Sequence, residues 1–288
     1  MIIVTLMWST AGVVTRHLDA ARSFEVTFWR SAFNALALLV ALSAMRGAAL
    51  WRGMAAAPWS LWVSGVCWAV MYTAFMVALT LTTVANVLIT MAIGPLLTAL
   101  FARLFLGTRL AARTWVAIAI AGLGIAWMFG KEIGGAGDHQ VLGTLVALCI
   151  PLAAATNWTL LQHVGQRASR RGEAVQDMLP AVLIGAALSA LVSLPLAWPL
   201  QASGHDLGLL AMLGVFQLAI PCLLVVRLTQ VLPAAEISLL GLLEVIFGVL
   251  WAWLGAGEQP GATALSGGAL VIGALVGNEL LALRKQRY

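Results

Sequence analysis

The sequence predicts an all-α membrane protein of ten transmembrane helices, arranged as two five-helix halves of inverted topology. Three observations predict this fold. Hydrophobic residues make up 62% of the chain, charged residues only 9%, and the second half repeats the first about 150 residues later. Soluble domains carry about 25% charged residues, so this chain has too few charges to cover a water-exposed surface.

Ten apolar segments predict the spans. A helix needs roughly 20 apolar residues to cross the ~30 Å hydrocarbon core of a bilayer. Segments bounded by charged, Gly and Pro clusters lie at 2–17, 24–45, 59–79, 84–106, 113–130, 141–164, 176–198, 207–229, 234–254 and 263–283. The first is short and has no basic flank, so we expect a longer natural N-terminus or a helix that begins in the interface. The pattern does not indicate a secretory signal peptide.

The repeat predicts how the two halves are related. Aligned without gaps, the matches at an offset of 150 include Ala85 with Ala235, Ala102 with Ala252, Gly107 with Gly257 and Ala119 with Ala269. Because five is an odd number, the halves enter the membrane in opposite directions, about a pseudo-two-fold axis in the membrane plane. We predict repeats at 1–133 and 141–288 and a polar linker at 134–140. Such duplications are typical of transporters with a site between the repeats.

Lys and Arg predict the orientation. With a cytoplasmic N-terminus, twelve of the 16 basic residues lie inside, Arg16, Arg22 and Lys131 lie outside, and Arg30 lies within the second span. The positive-inside rule therefore predicts a multi-pass protein of a bacterial-type inner membrane with both termini in the cytoplasm. This bias accounts for the net charge of +5. No clustered basic face predicts a nucleic-acid partner.

Three segments carry a resemblance to a known family. They are the fourth span with Gly94-Pro95 and the ending FLGTR, the ninth span LLEVIFGVLWAWLGAGE, and TFWRSAFNALALL with its Arg30. Together with the ten spans, they resemble the EamA-type drug/metabolite transporters. Halves of that family carry a Glu-Pro and a Gly-Glu pair, and here the pattern is split. The first half has Gly94-Pro95 and Gly107-Thr108, the second has Glu244-Val245 and Gly257-Glu258, and the seventh span lacks an Arg.

A narrower resemblance lies in the first span. Its segment LMWSTAGVVTRH is similar to the YddG-type exporters of aromatic amino acids. This resemblance implies export of aromatic and other bulky neutral amino acids by alternating access around a midplane cavity. We expect the first, third, fourth, sixth, eighth and ninth spans to line it, and the resemblance implies that the fifth and tenth are peripheral. The alternatives are a transporter for another solute (a purine, a drug-like cation or another metabolite) and a non-transporting membrane assembly protein.

Aromatic residues at mid-depth are the first candidates for substrate binding. Most of the 12 tryptophans lie near predicted interfaces, where Trp is enriched. Trp8, Trp68 and Trp158 instead lie near the middle of their spans, with Tyr72 and Met76 close to Trp68 in sequence. Because a buried indole N–H needs a partner, we expect either a cavity wall on which a substrate stacks or packing within the bundle.

Polar residues at similar depth are the second group. They are Ser9, Thr10, Thr90, Thr156, Asn157 and Gln217. Ser and Thr within spans often bond to their own helix backbone. Asn157 and Gln217 are harder to satisfy alone, so they are expected either to hold a substrate's ammonium or carboxylate or to tie helices together.

Two charges and two prolines complete the candidates. Glu244 lies midway along the ninth span, where a charge costs about 2.5–3.5 kcal/mol, so it is expected to face a cavity, pair with a base or be protonated. The resemblance implies a helix-shaping role as the alternative to proton coupling. Arg30 is its candidate partner, or else extends to the outer interface. Pro95 and Pro221 predict gates or passive kinks.

The remaining residues predict no enzyme, cofactor or metal site. The four His residues, at 17, 139, 163 and 205, are scattered among loops and helix ends without catalytic spacing. Cys67, Cys149 and Cys222 lie in spans and are expected to be buried free thiols. Ala269, Gly273 and Gly277 give the tenth span a face for packing within the monomer or in a homodimer. The expected partners are therefore the bilayer, an amino-acid substrate and a second copy of the chain.

Overall fold

A computed structural model describes the backbone of residues 1–288 except for 16, 22, 83, 130–137, 257–260 and 287–288. Seven helical segments are long and apolar enough to cross a membrane: Phe24–Arg46, Trp59–Leu81, Val87–Leu106, Val141–Arg171, Leu179–Ala197, Gly204–Leu228 and Ala234–Gly255. Three shorter apolar helices lie at Ile2–Thr15, Ala112–Met128 and Leu265–Asn278. These ten segments fall on the ten predicted spans, and no strand occurs among the described residues. The predicted all-α membrane fold is confirmed.

Several spans are built from more than one helix. In chain order the helices are α1 (Ile2–Trp8), α2 (Ala11–Thr15), α3 (Ser23–Arg46), α4 (Ala48–Ala55), α5 (Trp59–Leu81), α6 (Val84–Met91), α7 (Gly94–Leu106), α8 (Ala112–Phe129), α9 (Asp138–Arg171), α10 (Leu179–Ala197), α11 (Gly204–Met212), a π-helical segment (Leu213–Ala219), α12 (Ile220–Leu228), α13 (Ala234–Gly241), α14 (Leu243–Ala256) and α15 (Ala262–Gln286). The first span is α1 with α2, the fourth α6 with α7, and the ninth α13 with α14. The eighth is α11, the π-helical segment and α12. Short α4 joins the second and third spans, and the others are single helices.

The sixth and the first predicted spans differ most from the structure. Helix α9 (Asp138–Arg171), which forms the sixth span, extends beyond the predicted 141–164 at both ends and contains Pro151. Its first turn takes up residues 138–140 of the predicted linker, and the rest of that linker lies outside the described residues. The first span is broken after Trp8 because Ser9 and Thr10 bond back to the preceding turn, at Leu6 and Met7.

The fourth and ninth spans are interrupted at equivalent positions. Helices α6 and α13 are both eight residues long and begin 150 residues apart, at Val84 and Ala234. In the fourth span Pro95 follows the break, and its missing N–H leaves an upstream carbonyl unbonded. The ninth span has no proline there, and it breaks at Leu242 all the same. The interruption is therefore a property of the fold that both halves share.

Contacts between spans follow a two-fold relation. The second span packs on the seventh, the fourth on the ninth and the fifth on the tenth, so each is paired with its own equivalent. The contact between the third and seventh spans has its counterpart between the eighth and second spans. In the same way, the contact between the third and sixth spans corresponds to that between the eighth and first, and the contact between the fourth and sixth to that between the ninth and first. These pairings are those of two five-helix halves related by a two-fold axis.

Close helix approaches at two glycines hold the spans that carry the central residues. A Cβ on Gly185 of the seventh span would lie 2.3 Å from Trp68 Cβ in the third. A Cβ on Gly214 of the eighth span would lie 2.8 Å from the Arg30 carbonyl oxygen in the second. Because only glycine allows such contact, Trp68 and Arg30 sit on helices pressed tightly against their neighbours.

Polar contacts tie the loops at the two ends of this core. At one end, Asp206 accepts backbone N–H bonds from Asp19, Ala20 and Ala21 at 2.8–3.0 Å and Glu25 accepts two from residues 201 and 202 at 2.7 Å. At the other end, Arg46 pairs with Asp177. Ser60 there donates to Gln176 at 3.1 Å. The bundle is therefore fastened at both ends around its centre.

Candidate functional site

A cavity lies in the middle of the bundle, where the interrupted helices meet. It encloses about 1040 Å³ of empty space, including its opening. Residues of the first, second, third, fourth, sixth, eighth and ninth spans line it. No described residue of the fifth, seventh or tenth span does so, and these three spans pack outside the lining spans.

Irregular backbone positions much of the lining. Trp8 is the last residue of α1, Gly94 and Pro95 begin α7, and Gly241 and Leu242 lie at the break in the ninth span. In the eighth span, Gln217 lies within the π-helical segment, and such wider turns occur frequently at functional sites. Backbone of this kind is tolerated at membrane depth where protein or a cavity surrounds it.

Aromatic side chains form one wall. Trp68 and Tyr72 lie one turn apart on the third span and stack with ring centroids 5.6 Å apart. Trp158 of the sixth span meets Trp68 edge-on, with centroids 5.4 Å apart and planes at 79°. Trp8 and Phe75 also line the cavity. An aromatic ligand can stack on such a wall, because ring faces and edges attract one another.

Two opposite charges face the same cavity without forming an ion pair. Arg30 is almost fully buried, and its Nη2 donates to the Tyr72 carbonyl at 3.3 Å. Glu244 is half-buried in the first turn of α14. The two charges are close enough to attract each other. No direct salt bridge within 4.0 Å joins these two described residues, so space separates the positive and the negative group.

Polar groups around the cavity are only partly satisfied. Gln217 Nε2 donates to the Trp8 carbonyl at 3.1 Å, while its Oε1 is buried without a hydrogen-bond partner. Trp68 Nε1 and Arg30 Nε are also buried and unpartnered. The Tyr72 hydroxyl donates to Cys222 Sγ at 3.2 Å. Buried polar groups are nearly always paired in native proteins, so these atoms of the cavity lining are available to bond a ligand or water.

The structure brings eight of the predicted site residues to this cavity. They are Trp8, Arg30, Trp68, Tyr72, Pro95, Trp158, Gln217 and Glu244. Their roles in binding, coupling or gating stay predictions.

The other predicted site residues lie outside the lining. Ser9 donates to its own helix and accepts from Trp251 Nε1 at 3.0 Å, and Thr10 donates to Met7. Asn157 accepts from Ser64 at 2.6 Å and so ties the sixth span to the third. Met76 packs in a separate apolar cluster, Thr90 is buried, and Pro221 is buried at the start of α12. These side chains share the depth of the cavity but lie on other helix faces.

Sequence reasoning overlooked part of the lining. Phe75 lies two turns after Trp68 on the same helix face, a spacing that identifies it in retrospect. Met91, Pro151 and Ser238 also line the cavity, and no comparable signal marks them. The cysteines needed one correction: Cys67 and Cys222 are buried free thiols, but Cys149 is exposed on the surface of the sixth span.

One cluster has the composition of a metal site. Ligand atoms of Asp19, His205 and Asp206 lie within 4.8 Å of one another at one end of the bundle. The Asp206 carboxylate is already used by the backbone N–H groups of the first loop and of Ser203. The cluster is accounted for by helix and loop capping.

A bundle of ten spans in two inverted halves, with a polar and aromatic cavity at the centre, defines a membrane transporter. The chain matches the EamA-like transporter family over residues 1–130 and 141–278, and it belongs to that family. Membership in this family indicates that the protein is a transporter.

Relatives agree with this assignment. The chain is 26% identical over 255 residues to the pseudopaline exporter CntI of Pseudomonas aeruginosa strain UCBPP-PA14, covering 88% of this chain and 84% of the relative. The exporter of the same name from strain PAO1 matches with the same identity and coverage. One solved crystal structure superposes with a TM-score of 0.81 at 20% identity, covering 98% of this chain and 96% of the other. That similarity supports the fold.

Proposed function

We propose that this protein exports neutral amino acids with large aromatic side chains, by alternating access around the central cavity. The observation that carries the proposal is the wall formed by Trp68, Tyr72 and Trp158, which faces a cavity that also contains one positive and one negative charge. An indole or phenyl ring fits the aromatic wall, and the charges suit the polar end of an amino acid. The relatives named as exporters support the outward direction.

Alternating access requires spans that change shape around a fixed site. The interruptions in the first, fourth and ninth spans all lie beside the cavity. The half-helices on either side of an interruption can tilt independently, because few backbone hydrogen bonds cross it. Tilting of the equivalent fourth and ninth spans would open one side of the cavity while closing the other.

Flux of labelled tryptophan and phenylalanine into proteoliposomes tests the proposal. Wild-type protein is expected to carry both above the level of empty vesicles. Trp158→Ala and Trp68→Ala remove a stacking partner worth roughly 0.5–1.5 kcal/mol in addition to apolar contact. We therefore expect each variant to weaken the apparent affinity for tryptophan about tenfold.

Trp62→Ala is the matched control. Trp62 lies on the same helix as Trp68, but its side chain is 48% exposed on the outer surface of the bundle. Its flux should equal that of wild type, and a melting temperature for each purified variant excludes misfolding. Absence of flux for every amino acid tested would contradict the proposal. Normal flux in both cavity variants would return these tryptophans to a packing role.

The second candidate function is transport of a different metabolite, and the relatives favour it. Their names identify pseudopaline as what they export, and the match spans 88% of this chain. Purified pseudopaline, a purine and a drug-like cation therefore belong in the same flux assay. Competition by pseudopaline without competition by phenylalanine would favour this second candidate.

A further inference from the structure

We propose that the cavity binds the two ends of a zwitterion separately, with Arg30 holding the α-carboxylate and Glu244 the α-ammonium group of a free amino acid. The inference rests on the proposed function, because it specifies how an amino acid would be bound in that cavity. It predicts that the protein distinguishes a free amino acid from the corresponding amine and from the corresponding acid.

The first support is the incomplete bonding of Arg30. A guanidinium has five N–H donors, and the described structure gives this one a single hydrogen bond, from Nη2 to the Tyr72 carbonyl at 3.3 Å. Its Nε is buried without a partner. The side chain is only 2% exposed yet lines the cavity. A carboxylate accepts such donors in a fork geometry, so a ligand carboxylate would complete the bonding of Arg30.

The second support is the presence of Glu244 in the lining of the same cavity. It lines the same cavity as Arg30, and the two are near enough to attract but do not form a direct ion pair. Charged groups within a bilayer normally pair or face a cavity. A ligand that carries both charges on neighbouring atoms can fill the space between these two side chains and neutralise both.

The third support is that neutral polar groups of the cavity are also left without partners. The unpartnered donor Trp68 Nε1 lies next to Tyr72, the residue whose carbonyl accepts from Arg30. The unpartnered acceptor is Gln217 Oε1. The Trp8 carbonyl can only accept a hydrogen bond, so the amide nitrogen of Gln217 must face it. This bond therefore fixes the orientation of the Gln217 amide and the position of Oε1. A carboxylate needs donors and an ammonium needs acceptors, and the cavity offers both.

Binding of three indole compounds to purified protein tests the inference. Tryptophan carries both charges, tryptamine lacks the carboxylate, and indole-3-propionate lacks the ammonium. Each dissociation constant is measured by scintillation proximity or calorimetry. Wild-type protein should bind tryptophan at least about tenfold more tightly than either analogue, because each analogue leaves one charge of the cavity unpaired.

The variants should change selectivity in opposite ways. Arg30→Gln should reduce the preference for tryptophan over tryptamine about tenfold and leave the preference over indole-3-propionate nearly intact. Glu244→Gln should do the reverse. General damage to the site would weaken all three ligands together, so this crossed pattern is specific. If Arg30→Gln does not fold, Arg30→Lys retains the charge but not the fork and should show an intermediate loss.

Arg103→Gln and Glu173→Gln are the matched controls, because both side chains are exposed outside the cavity. They should keep the wild-type selectivity. Tryptophan flux in a protein that binds all three compounds equally would overturn the zwitterion site and leave the proposed function standing. Equal losses for all three ligands in both variants would also overturn it and make the two charges structural. No tryptophan flux and no tryptophan binding in wild type would instead remove the proposed function, and the zwitterion site with it.

Discussion

Asp206 illustrates how a single side chain can organise one end of a membrane protein. It forms a capping box with Ser203 at the start of α11 and also accepts three N–H bonds from the loop between the first and second spans. The two halves of the chain are thereby joined through one carboxylate, 187 residues from Asp19. The capping spacing is visible in sequence, but the loop that it holds is not.

The Asp206→Asn substitution should lower stability. An amide replaces one acceptor oxygen with a donor, so at least one backbone N–H loses its bond, at a cost of about 1–3 kcal/mol. Purified Asp206→Asn protein should melt several degrees below wild type in a fluorescence-detected thermal scan. Asp19→Asn is the control, because its exposed carboxylate contacts His205 at 3.4 Å. Equal melting temperatures for the two variants would show that the hydrogen bonds of Asp206 to this loop do not contribute to stability.

The sequence predicts how deep in the membrane each site residue lies, but not which face of its helix the residue occupies. Trp158 and Asn157 are neighbours in sequence and equally deep, yet Trp158 lines the cavity and Asn157 bonds to Ser64. The same holds for Trp8 and Ser9 on either side of the first break. Depth follows from counting along a span. The face that a side chain occupies depends on how its helix is rotated against its neighbours.

At the scale of elements, the interrupted spans are the most distinctive feature. The sequence singles out Pro95 as a candidate gate, and the fourth span is interrupted beside it. The ninth span is interrupted at the equivalent position with no proline, so a search for proline alone finds half of the pair. In the eighth span, the π-helical segment ends at Ala219, directly before the helix that begins with Ile220 and Pro221, the other predicted kink.

Pro95→Ala should slow transport without destabilising the protein. Alanine supplies the missing N–H, so an additional backbone hydrogen bond can form across the break and the two half-helices of the fourth span should tilt less freely. We expect tryptophan flux to fall several-fold, while the melting temperature stays equal or rises. Pro195→Ala is the control, because Pro195 also lies inside a helix but is exposed and distant from the cavity lining. Unchanged flux in Pro95→Ala would show that the break is a passive kink.

At the scale of the whole molecule, the distribution of basic residues predicts the orientation. Twelve of the 16 Lys and Arg residues lie on the side assigned to the cytoplasm, and the rule that relates this bias to topology is strong for short loops. A fluorescent-protein fusion to the C-terminus should be bright, and an alkaline phosphatase fusion there should be inactive. Fusions placed after the fifth span should give the opposite pair of signals. An active alkaline phosphatase fusion at the C-terminus, together with a bright fluorescent-protein fusion after the fifth span, would show the opposite topology.

The sequence by itself determined the class of this protein and its plan: a membrane bundle of ten spans in two inverted halves. Those properties depend on composition, the length of apolar runs and an odd number of helices per repeat, and all three can be counted directly along the sequence. Only the tertiary structure decided which mid-depth residues share a cavity, and that Arg30 and Glu244 face it without contact. Helix rotation and the breaks in the fourth and ninth spans decide these placements. Both depend on packing between spans that are far apart in sequence, such as Gly185 against Trp68.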